Sequence, residues 1–117
     1  MNLQRGDVIL CQVPMLSTGM TQFKIRPAVV VSADRINQML DDVIIVPCTS
    51  NTNRPLTATQ YLIAEDNIAS AGLRIDSVVR CETILAINKS MILRKLGSLS
   101  SEAISQVNRC LMVALEL

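Results

Sequence analysis

The chain contains no histidine and no tryptophan, and aromatic residues make up only 2 % of it. Without histidine, any phosphodiester chemistry must be done by other groups. Tyr61 and Phe23 are the only rings, so the core must be aliphatic. A nucleic-acid reader built on stacked aromatic platforms is thereby disfavoured. Charge of one sign is also lacking: the net charge is +1. A polyanion would have to be bound through a local patch rather than a basic surface. No apolar run approaches the roughly 20 residues of a membrane span, and Met1-Asn2-Leu3-Gln4-Arg5 lacks the apolar core of a signal peptide. A soluble, cytoplasmic protein is expected. Asn88-Lys89-Ser90 matches a glycosylation acceptor, which in that compartment is a chance match.

The cysteines, Cys11, Cys48, Cys81 and Cys110, form no CxxC pair, and no histidine can complete a mixed zinc site. They read as small buried hydrophobes in a reducing compartment. At 117 residues, half of them apolar, the chain is one domain, 1–117, able to bury a real core.

Strands are expected over Val8–Val13, Pro27–Ser32, Val43–Cys48 and Thr59–Ala64, with Ser77–Ile87 as one bent strand or two short ones. Pro14 is expected to stop the first strand. Residues 15–25 read as a loop with Ser17-Thr18-Gly19 turn chemistry, a candidate binding element. Asp34 is expected to cap a short helix through Leu40. Residues 65–76 read as irregular, with a helical turn at Ile68–Ala71, and Asn88–Leu93 as another turn. Ser100 is the expected N-cap of the last helix, with Glu102 in its first turn. Ile104, Val107, Leu111 and Leu115 recur there at helical spacing, widened by Cys110 and Ala114, a stripe to be buried against the sheet. Short strands closed by one helix predict a mainly β, α+β fold: a small barrel with added helices. A parallel sheet is rejected, because crossover helices between successive strands are missing.

Two segments carry candidate chemistry: Lys24-Ile25-Arg26-Pro27-Ala28-Val29-Val30-Val31-Ser32 and Val46-Pro47-Cys48-Thr49-Ser50. The residue before a proline is held extended, so Arg26 is a restrained guanidinium able to bind phosphate bidentately. Thr49 and Ser50 follow an apolar run that anchors them, and their hydroxyls can donate to phosphate oxygens. The plainer readings are a surface arginine and a satisfied strand-end turn. Lys24, Arg26, Arg54 and Arg80 form either a positive patch or scattered surface charge.

With Gly6-Asp7, Asp76-Ser77-Val78-Val79 and Glu82-Thr83-Ile84, these segments give a pattern that resembles the MazF/PemK family of toxin endoribonucleases. The resemblance runs from about residue 4 to the end. It implies an SH3-like barrel acting as a homodimer, which cuts single-stranded RNA, often mRNA, without a metal or other cofactor. The ribose 2′-hydroxyl attacks the adjacent phosphorus, leaving a 2′,3′-cyclic phosphate and a 5′-hydroxyl. The family's arginine and threonine match Arg26 and Thr49. A cognate antitoxin blocks the RNA groove. Lys24, Ser50, Arg54, Arg80 and Glu82 are the expected substrate-binding residues. Arginine is a poor general base, and Glu82 qualifies as one only if it lines the groove. The chain departs from many relatives in having no acid in its first long loop, and in Thr83 and Leu85, where they carry glutamine and a basic residue. Arg80 or Lys24 can supply that charge. The departures leave two rival functions open: a non-catalytic binder of the gyrase-poison kind, and a degenerate member that only dimerises and binds antitoxin.

Overall fold

The computed structural model describes residues 1–15 and 22–117. Its strands are β1 (Asp7–Met15), β2 (Gln22–Val30), β3 (Asp42–Thr49), β4 (Gln60–Ile63), β5 (Ser77–Arg80), β6 (Leu85–Asn88) and β7 (Ile92–Ser98). The helices are α1 (Asp34–Met39), α2 (Asp66–Ser70) and α3 (Ser101–Leu115), with a single 3-10 turn at Lys89–Met91.

Every pairing is antiparallel, in the order β4-β5-β3-β2-β1-β7, with β6 also on β3. β3 is the hub. One edge carries β2; the other carries β6 as far as Ile45 and β5 from Cys48 onward. Pro47 falls in the interval between β6 and β5, where a missing N–H leaves no ladder bond unmade.

Both faces of the sheet are apolar, because side chains alternate along each strand. Val8, Val29, Val46, Ile63 and Val79 point to one side and pack with Ala103, Val107 and Cys110 of α3. Ile9, Cys11, Ala28, Val30, Val43 and Ile45 fill the other. β1 and β4 thus meet the same helix although three strands separate them, so the sheet curls around α3. Among the described residues no pairing joins β4 to β7, so the expected barrel is an open, curled sheet.

Ser100 caps α3 as expected, its Oγ accepting from Ala103 N at 3.1 Å. The buried stripe is shorter than the spacing suggests: Leu115 is 53 % exposed. Other expectations are corrected. Pro14 does not end β1, which pairs with β2 out to Met15↔Gln22. Among the described residues no strand pairs with β1 on its β7 side beyond Cys11, so a proline there is tolerated. β2 therefore starts before Pro27 and takes in much of the supposed loop, and Arg26 sits within the strand. Ser17-Thr18-Gly19 lies outside the described residues. Asp34 is not the cap of α1; Ala33 holds that position, and Asp34 Oδ1 instead accepts from Arg5 N at 2.6 Å. Ser77–Ile87 divides into β5 and β6, and β7 was not anticipated at all.

Candidate nucleic-acid interface

The β2–β3 ladder ends at Ala28↔Pro47. Beyond it β2 follows β1 down to Gln22, while β3 follows β5 through Cys48↔Val79 and Thr49↔Val78. The two strands fork. Arg26 and Thr49 each lie two residues past that last pair, one on each branch of the fork.

Two neighbouring cavities open around the fork. The first, about 460 Å³, is lined by Lys24, Ile25, Arg26 and Pro27 from β2, by Cys48 and Ser50 at the end of β3, and by Leu73, Arg74, Ile75 and Ser77 before and in β5. The second, about 280 Å³, is lined by Thr49, Asn51, Arg54, Pro55, Thr57, Gln60, Val78 and Arg80. Alternation along β3 divides them: Cys48 and Ser50 turn toward one, Thr49 toward the other. Arg26 and Thr49 thus stand on either side of the same strand end, in adjoining cavities. Ser50 joins Lys24 and Arg26 in the first; Arg54 and Arg80 join Thr49 in the second. Among the described residues no carboxylate lines either cavity.

The hydroxyl of Thr49 is oriented from behind. Its Oγ1 accepts from Asn51 N at 3.2 Å, and Asn51 Oδ1 accepts from Asn53 N at 3.2 Å. The turn reading is therefore correct, and it leaves the Thr49 O–H free to donate forward. Arg26 is half-buried, and Lys24 and Arg54 are exposed. None of the three has an ion-pair partner among the described residues.

Glu82 lines neither cavity. Its carboxylate accepts from Thr59 Oγ1 at 2.9 Å, Gln60 Nε2 at 3.1 Å and Arg80 Nε at 3.1 Å. Partial burial pushes its pKa up, but its own backbone N–H and these three donors outweigh that and hold it below the ordinary carboxylate range. It is an anchor for Arg80, not a base facing the groove. Leu85 pairs with Ile45 and packs into the second core cluster, so an apolar side chain suits that position.

Cys48 touches the first cavity yet is 1 % exposed. Burial first, then the neighbouring Cys81 and Cys11, push its thiol up to about 12. It is a packing group without nucleophilic character at neutral pH. Among the described residues no three Cys, Asp or Glu side chains gather as a metal-binding set, and no helix is long and apolar enough to cross a membrane.

Arg74, Leu73 and Ile75 were missed by the sequence reading, which took 65–76 as irregular. They lie in no periodic element, so no local pattern flags them.

The described residues thus make a curled antiparallel sheet with cations and hydroxyls around a strand fork. Residues 4–115 match the family of PemK-like, MazF-like toxins of type II toxin–antitoxin systems. The chain belongs to that family. It is 30 % identical over 115 residues to the Endoribonuclease MazF of Staphylococcus saprophyticus, covering 98 % of this chain and 92 % of that one. Its fold is similar to a mycobacterial endoribonuclease, with a TM-score of 0.79 at 20 % identity, covering 100 % of this chain and 94 % of that chain. It is also similar to a mycobacterial endoribonuclease solved in complex with its cognate antitoxin, with a TM-score of 0.77 at 23 % identity, covering 98 % and 96 % of the two chains.

Proposed function

We propose that the protein is a toxin endoribonuclease that cleaves single-stranded RNA at the β2–β3 fork. The ribose 2′-oxygen bonds to the adjacent phosphorus and the bond to the 5′-oxygen breaks. The products are a 2′,3′-cyclic phosphate and a 5′-hydroxyl. Arg26 and Thr49 donate to the equatorial phosphate oxygens, whose charge grows toward the transition state. The 2′-hydroxyl proton leaves to solvent and the 5′-oxygen takes one from solvent, since Glu82 faces away. Lys24, Ser50, Arg54 and Arg80 hold flanking phosphates.

One observation supports this reading: Arg26 and Thr49 each lie two residues past the last β2–β3 pair, and they line neighbouring cavities that no carboxylate among the described residues lines. The relative named Endoribonuclease MazF supports the activity. The neighbour solved with its antitoxin supports a second part of the proposal, that a cognate antitoxin neutralises this cytoplasmic protein. The active species is a homodimer, for which the exposed Met112, Val113 and Leu115 of α3 offer apolar surface.

The test is incubation of the purified protein with a long single-stranded RNA in EDTA, with mapping of the new ends. Cyclic phosphate and 5′-hydroxyl termini are expected. Intact RNA in the presence of folded protein would overturn the proposal in favour of a non-catalytic binder.

A further inference from the structure

The first cavity has a wall that the reaction just described does not use. Leu73, Arg74 and Ile75 belong to the segment between α2 and β5 and line the cavity together with residues of β2. Two β-branched apolar side chains stand at the mouth, Ile25 at 60 % and Ile75 at 59 % exposure. Paired apolar exposure beside a cationic floor suits a ligand that is part apolar and part anionic.

The segment is held at both ends. Gly72 has φ +71°, and a Cβ there would lie 2.0 Å from the carbonyl oxygen of Leu96 in β7. Leu73 N donates to Ile68 O at 3.0 Å, and Ser77 Oγ donates to Ile75 O at 3.2 Å. Ala71 and Ser77 are buried on either side. Arg74 is thus an exposed guanidinium on a fixed support, lining the same cavity as Arg26 and without an ion-pair partner among the described residues. A pre-positioned cation loses less freedom on binding than one on a mobile loop.

We propose that this cavity is a nucleotide subsite. Arg74 binds the backbone phosphate next to the one held by Arg26, and Ile25 and Ile75 close on the base between them. This rests on the reading of the protein as an RNA-cleaving enzyme. Only Phe23 and Tyr61 carry rings, and neither lines the cavity. Aliphatic side chains therefore supply the apolar contact that aromatic rings provide in other single-strand binders.

Binding of a 2′-O-methyl RNA oligonucleotide, which lacks the attacking hydroxyl, tests the proposal across a salt series. Arg74→Gln is expected to weaken binding about tenfold or more and to flatten the log–log salt slope by about 0.7. Ile75→Ser is expected to weaken binding without changing that slope. Arg35→Gln, on α1, is the charge control and should leave the slope as it is. A wild-type slope in Arg74→Gln, with the wild type still cleaving RNA, overturns the subsite alone. Wild-type protein that neither binds nor cleaves RNA overturns the proposed function and the subsite with it. Retained RNA affinity in Arg74→Gln, with lost affinity for an acidic peptide, would assign the cavity to a protein partner and overturn the RNA assignment.

Discussion

Arg80 donates its Nε to Glu82 Oε2 over 3.1 Å at the outer end of β5. The pair puts the guanidinium at the wall of the second cavity and occupies the carboxylate with three donors. Glu82→Gln is therefore expected to reduce RNA cleavage by well under the roughly 100-fold that losing a general base costs, and to leave the shape of the pH–rate profile unchanged. Because the carboxyl is held below its ordinary range, its stabilising contribution is present above the unfolded carboxylate pKa and is lost as pH falls through the lowered folded value. The melting-temperature difference between wild type and Glu82→Gln should shrink on acidification through that window.

The thiols make a prediction of opposite sign. Burial pushes Cys11 up to about 11 and Cys48 and Cys81 up to about 12, from 9.0. Unfolded thiols release their protons first, so stability is full below about pH 9 and is lost as pH rises through the folded values. Denaturant midpoints should fall steadily from pH 9 upward. At pH 8 the native protein should alkylate far more slowly than its urea-unfolded form.

Much of the fold is legible because local chemistry and tertiary demand agree. Val29, Val30 and Val43–Val46 are β-branched, apolar and bounded by polar turns, and they form the sheet centre. Ser100 announces α3. β7 was invisible because most of Ile92–Ser98 is exposed: it holds Arg94, Lys95 and Gly97, and its apolar residues do not alternate. Pro14 misled because the rule against proline in strands depends on which edges are occupied, a fact of topology. At the site, Arg26 and Thr49 could be singled out since each is restrained by its own strand. The position of Arg74 is set by the contact of Gly72 with β7, which no stretch of sequence encodes locally.

That contact is itself testable. Gly72→Ala forces a side chain into positive φ and onto the Leu96 carbonyl. It should destabilise the protein by about 1–3 kcal/mol, measured by urea unfolding. In the folded fraction, RNA affinity should fall with Arg74 displaced. Gly97→Ala, whose Cβ would meet Ser70 O at 2.3 Å, should disturb the same junction from the other side.

The central claim is that Arg26 and Thr49 act on one phosphate. Single-turnover cleavage by Arg26→Ala, Thr49→Val and the double variant tests it most directly, with circular dichroism confirming that each is folded. Each single change should cost about 100- to 1000-fold. If the two share a phosphate, the double variant should lose less than about tenfold beyond the worse single. Losses that multiply in full, or single variants that cleave at the wild-type rate, would contradict it.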